Sequence, residues 1–189
     1  MPLARRQLVG FALPALAAAC ASPDPALYTI PMKPGPVLQG GPKVVQLRDI
    51  GLAGYLDRRE IVRSSQAYKL GVLSNDWWGE SLATMLSRVI VLGLSQRLPA
   101  SRIYAEGGAI SADPNAVLAV NIQRLDPDPS GELELLAQAA VEFNRPQRTV
   151  ARSFRILKQP PTADVAGQVA ATSDAVAELT DGLASLLQS

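Results

Sequence analysis

Histidine is absent from all 189 residues, and cysteine occurs once, at Cys20. The first absence excludes a histidine-based catalytic triad, a histidine-ligated metal and a pH switch near neutrality. A single cysteine excludes an internal disulfide and a cysteine-rich zinc site. Neither sign of charge dominates: the formal net charge is +1. Without Arg5 and Arg6 the chain carries 16 Lys and Arg against 17 Asp and Glu, a balance of −1. That is not the electrostatic footprint of a nucleic-acid binder. Arg58, Arg59 and Arg63 lie close together, but Asp57 and Glu60 are interleaved with them, as on a solvated strand flank. Aromatic residues make up only 5% of the chain. With 48% hydrophobic residues, mostly Ala, Val and Leu, there is enough apolar volume for one domain with one core.

The first nineteen residues have the layout of an export signal. Arg5 and Arg6 form a basic start, and Leu8–Leu16 is an apolar run too short to cross a membrane as a helix. Ala17, Ala18 and Ala19 then lead directly into Cys20. This resembles the bacterial lipobox, in which small residues fit the lipoprotein signal peptidase and the cysteine sulfur receives a diacylglyceryl group. Ala17 stands where leucine is preferred, with Leu16 one place earlier. The alternative is an ordinary signal peptide cut near Ala19, with Cys20 an incidental thiol. Ala21 follows the cysteine where aspartate would favour inner-membrane retention, so the resemblance points to the outer membrane. Several acyl chains together anchor stably, where one alone binds marginally. Residues 20–42, dense in Pro and Gly, are expected to be a tether with one short strand, Leu27–Met32, leading to a single domain over 43–189.

Within that domain the pattern changes several times. Residues 43–50 suggest a strand, and 60–75 a hairpin turning at Arg63–Gln66. Trp78, Leu82, Met85, Leu86, Val89 and Leu92 then recur at helical spacing. The spacing predicts a helix of about twenty residues, capped by Asn75 or Asp76 and ending at Leu98-Pro99. Segments 116–126, 131–144 and 148–157 alternate with period two and predict a three-stranded antiparallel meander, solvated on one side. The chain closes with a helix over about 163–187. Its apolar residues, Val165 to Leu186, step by four and three, which suits either a coiled coil or packing on the protein's own sheet. The small residues beside this seam, such as Ala170 and Ala184, favour the sheet. The fold class is therefore α+β or α/β, a mostly antiparallel or mixed sheet packed with two long helices.

The order of these pieces resembles the PqiC-type (YmbA-like) auxiliary lipoproteins of ABC-type transport systems. The resemblance is carried by "YTI" soon after the cysteine, "YLDRREIVRSS", "WWGESLATMLSRVIVLGLSQRLP" and the Ala-rich closing helix, and it covers most of 27–187. It implies a fold similar to the amino-terminal domain of TolB. It also implies a role without catalysis or cofactor, in which the protein works beside an MCE-domain protein of a lipid-moving transporter, held at the periplasmic face of the outer membrane by acyl chains on Cys20. Such a system admits a homo-oligomer. No phosphate-binding glycine loop is present, in keeping with a component that is not the ATPase.

Two surfaces are candidates for partner contact. Trp77 and Trp78 on a helix would point about 100° apart, so one enters the core and the other is free. Trp78 continues the apolar stripe, which leaves Trp77 as the contact residue. Asp57, Arg58, Arg59 and Glu60 could form a docking edge. Glu80 complements the helix dipole. An enzyme would have to use carboxylates, for which Asp76 and Glu80, one helical turn apart, are the available pair. The other alternative is a structural envelope lipoprotein that binds peptidoglycan or an assembly machine.

Overall fold

The computed structural model describes residues 24–64, 68–109 and 112–189, so Cys20, the segment before it and part of the Arg63–Gln66 turn lie outside the described residues. In chain order the elements are β1 (Ala26–Tyr28), β2 (Val44–Leu47), β3 (Gly51–Leu52), β4 (Glu60–Ser64), β5 (Gly71–Trp78), α1 (Leu82–Arg97), β6 (Arg102–Ala105), β7 (Ala116–Pro127), β8 (Leu133–Asn144), β9 (Gln147–Lys158) and α2 (Val165–Leu186). They form two mixed sheets and two helices, an α+β architecture. The small sheet has the order β1-β5-β4; the large one runs β6-β2-β7-β8-β9, with β3 also pairing to β7.

The expected meander is the backbone of the large sheet, with β7, β8 and β9 antiparallel. On β8, Leu133, Leu135, Ala137, Ala139, Val141 and Phe143 all point into the core. The β7–β8 turn is built by Asp128, whose carboxylate accepts the backbone N–H of Ser130 and of Glu132, while Gly131 takes φ +88°. The other edge strand, β6, is short and has no apolar alternation beyond Ile103 and Tyr104, so periodicity did not reveal it. It pairs in parallel with β2. At the opposite edge, among the described residues, β9 pairs only with β8 and leaves its other side open along twelve residues.

Helix α1 begins later than the spacing predicts. Ser81 is its cap, the hydroxyl accepting the N–H of Thr84 at 3.2 Å. Asn75 to Trp78 lie instead on β5, where strand partners on both sides outweigh the helical spacing of Trp78 and Leu82. The buried face of α1 runs Leu82, Met85, Leu86, Val89, Ile90, Gly93, Leu94 and Arg97, steps of three and one that trace one stripe.

On α2, Val169, Thr172, Val176, Leu179, Leu183 and Leu186 are all buried within the chain, so the heptad-like seam serves this protein's own core and not a coiled coil. Thr180 on α2 comes close to Gly93 on α1, a crossing that needs the small residue. The start of α2 is tighter still. Asp164 caps it by accepting the Gly167 N–H at 2.8 Å, and a Cβ on Gly167 would stand 2.0 Å from the Thr162 carbonyl oxygen. Alanine normally favours a helix over glycine by about 1 kcal/mol. Here the clash with backbone wins, so Gly167→Ala is expected to destabilise by about 1–3 kcal/mol, read as a lower urea midpoint at unchanged slope.

The largest departure from expectation is the supposed tether. From Thr29 to Pro42 the chain lies as a strap across the helices. Ile30 is fully buried and its N–H points to the Met85 sulfur at 3.2 Å. Gln96 grips Gly35 twice, accepting its N–H at 2.8 Å and donating to its carbonyl at 3.1 Å. The Leu38 N–H donates to the Arg97 carbonyl at 2.7 Å, and Gln188 donates to the Gln39 carbonyl at 2.6 Å. Arg97, only 1% exposed, is the centre of this attachment. Its guanidinium donates to Asp181, and to the carbonyls of Lys33, Gly93 and Ala177. Proline and glycine thus serve an extended, close-fitting path: a Cβ on Gly35 would collide with Arg97 and Asp181 at 2.3 Å.

Candidate functional site

The strand placement of Asn75–Trp78 changes what the two tryptophans can do. Successive side chains on a strand face opposite ways, so Trp77 and Trp78 point to opposite faces of the small sheet rather than about 100° apart. Trp78 is buried in the core, as its stripe suggested. Trp77 stands on the outer face, half-buried, with its indole N–H donating to the Ser74 carbonyl at 3.1 Å.

Register fixes the neighbours of Trp77. It lies opposite Leu27 of β1 on one side and Glu60 of β4 on the other, and side chains at paired positions share a face. Leu27 is 66% exposed, which makes it one of the few large apolar side chains left outside the core. Nothing in its local sequence marked it; only the β1–β5 pairing reveals the patch. The inner face carries the complementary pair Tyr28 and Trp78. Tyr28 donates its hydroxyl to Asp76 at 3.0 Å, and that bond, first among the causes, raises the phenol above its ordinary range.

The structure therefore brings Trp77 and Glu60 together, and the rest of the charged stretch borders them. Before β4 the chain makes a compact turn, with the Leu56 N–H bonded to the Ala53 carbonyl and Leu56 itself buried. Arg58 donates its Nε to the Tyr55 carbonyl at 2.9 Å, so its head is tied to the turn. Tyr55 in turn donates to Asp126 on β7 at 2.6 Å, which pins the turn to the large sheet. Asp57 and Arg59 are exposed, and Arg59 contributes its carbonyl to the Trp78 N–H at 2.7 Å. These residues form a rigid rim around the Trp77 face.

The carboxylate pair expected for an enzyme does not form. Asp76 is on β5 and Glu80 lies between strand and helix, so they are not one helical turn apart. Asp76 is engaged with Tyr28, and Glu80 accepts from Arg88 at 2.6 Å, an ion pair rather than a simple dipole partner. A second acidic group, Asp126 and Glu134, is buried and held by Arg124, Arg155 and Tyr55. These ions bind the end of the large sheet together. No cluster of three or more His, Cys, Asp or Glu side chains able to hold a metal ion occurs among the described residues. Among the same residues no helix is long and apolar enough to cross a membrane. The open side of the large sheet holds a shallow depression of about 650 Å³ floored by the row Ala119, Ala140 and Ala151. Asn121, Gln138 and Ser153 also line it.

A family model described as the ABC-type transport auxiliary lipoprotein component matches residues 28–184. Among curated proteins none matches the chain. Two solved structures share the fold. One, a crystal structure of an uncharacterised protein, has 14% identity and a TM-score of 0.73, covering 86% of this chain and 98% of its own. The other, from Xanthomonas campestris and assigned to the DUF330 family, has 18% identity and a TM-score of 0.70, covering 84% and 92% respectively. At these identities the likeness is one of fold.

Proposed function

We propose, on the premise that this chain belongs to the family of ABC-type transport auxiliary lipoprotein components, that it is an accessory without catalytic activity in a system moving lipid between the two bacterial membranes. In this role it is anchored by acyl chains on Cys20 at the periplasmic face of the outer membrane. Its partner is the MCE-domain protein of the transporter, met through the exposed turn Asp57, Arg58, Arg59 and Glu60, with Trp77 at the border. The observation that carries the proposal is the family match across 28–184. The rigid charged rim supports it, because a preorganised surface loses little entropy when a partner docks.

The deciding experiment is a crosslinked pull-down from detergent-solubilised envelopes carrying a tagged copy, with partners identified by mass spectrometry. Recovery of an MCE-domain protein is the expected result, reduced when Asp57 and Arg59 are replaced together by serine. Recovery of peptidoglycan fragments or an envelope assembly machine, without any transporter component, would overturn it in favour of a structural lipoprotein.

A further inference from the structure

We propose that the outer face of the small sheet, Leu27 beside Trp77, rests on the phospholipid surface to which the chain is anchored. This goes beyond the transport role and rests only on the acylation of Cys20. The first observation is a length. With residues 20–42 free, the domain could stand about 80 Å from its anchor, at roughly 3.5 Å per residue. The strap removes that freedom. Asp24 is already held, its carbonyl accepting from Asn75, and β1 is paired to β5 from Ala26 onward. Only four residue steps separate Cys20 from Asp24, a span of at most about 14 Å however they run. Leu27 lies seven steps from Cys20, within about 25 Å on the same bound. The domain is held against its membrane.

The second observation is what stands at that end of the molecule. Leu27 is 66% exposed and registers directly with Trp77, whose ring is half-buried and whose N–H is already satisfied by Ser74. A lone exposed leucine is ordinary, but a paired leucine and tryptophan at the anchored end form a patch suited to the membrane interface. Glu60, the third side chain across this face, sets the depth. A carboxylate does not enter hydrocarbon, so the contact is shallow, at the level of the headgroups and the first acyl carbons. The partner-binding rim is then left to Asp57, Arg58 and Arg59, and Trp77 belongs to lipid.

The two tryptophans make this testable, since Trp78 in the core is an internal reference. The full chain, expressed so that it is acylated, would be reconstituted into vesicles of phosphatidylethanolamine and phosphatidylglycerol, with a fraction of the lipid brominated near the headgroup. Wild-type emission is expected to fall by roughly a third to a half on bromination, as befits one interfacial tryptophan of two. Trp77→Phe should show little loss, and Leu27→Asp, an exposed substitution, should reduce the quenching while the circular dichroism stays unchanged. Acylated protein that floats with the vesicles but is quenched equally with and without Trp77 would overturn this inference alone and return the patch to a protein partner. Protein whose mass shows no acyl group on Cys20 would overturn the anchor and this inference with it.

Discussion

Arg97→Ala is expected to lower stability by about 3 kcal/mol, because the strap and both helices converge on one buried guanidinium. The side chain is 1% exposed and makes four hydrogen bonds, two of them to carbonyls on other segments, Lys33 and Ala177. Alanine leaves the Lys33 carbonyl without that donor and opens a void under Gly35. The figure lies at the low end for a broken buried ion pair, for a physical reason. Asp181 keeps 40% of its side-chain surface in water and can be resolvated, and the Gly93 and Ala177 carbonyls are helical. Asp181→Asn keeps an acceptor for the Arg97 Nε but strips a buried guanidinium of its counter-charge, so it should cost a smaller but real amount, about 1–2 kcal/mol. Urea unfolding of the two variants would show the asymmetry, with a midpoint shift of about 1.5 M expected for Arg97→Ala at a typical slope. Hydrogen exchange at the Gly35 and Leu38 amides should quicken in that variant well before the core amides do. An unchanged midpoint would mean that Ile30 and the helix face alone hold the strap.

Cys20→Ser is expected to move the protein from the membrane fraction to the soluble fraction entirely. Acylation contributes about 0.8 kcal/mol per buried methylene, so two or three chains dominate any contribution from a shallow patch. In the proposed role the sulfur would carry the diacylglyceryl group, and a serine oxygen would not substitute for it. The domain itself should be unaffected, since the buried core is assembled from Ile30 onward. Fractionation of envelopes, with thermal unfolding of the released protein as control, measures both halves. Membrane association that survives the substitution would remove the anchor from Cys20.

The meander was legible because one face of β7 and β8 is covered and the other is not, so burial writes a period of two into the residues from Leu133 to Phe143. The seam of α2 was legible for the same reason at helical period. The start of α1 was not. Trp78 and Leu82 stand four apart and mimic a helix turn, while the interactions that make Asn75–Trp78 a strand come from Leu27 and Glu60, which lie far off in sequence. The strap was misread for a related reason. Its prolines and glycines are those of a linker, and its partners, Gln96, Arg97 and Gln188, are 59 to 149 residues away. In the contact face, Trp77 and Glu60 could each be named from the sequence. Their adjacency, and the presence of Leu27, belong to the register.

The open side of β9 bears on how copies of this protein behave when crowded together. On the outer side of this twelve-residue strand, the N–H and C=O groups of alternate residues point away from β8 and invite a second copy to continue the sheet. That strand carries Arg148, Arg152, Arg155 and Lys158 and no acid. Arg155 and Lys158 have carboxylate partners in Glu134 and Glu178, whereas Arg148 lies over the Phe143 ring and donates to the Ser189 carbonyl oxygen, and Arg152 lies over the Phe154 ring. Two such edges meeting would bring together along one seam strands that carry basic side chains and no acid, which disfavours the pairing. The edge is thus guarded against runaway polymerisation at the high local concentration of an envelope surface, and any ring the chain enters is built from its other faces.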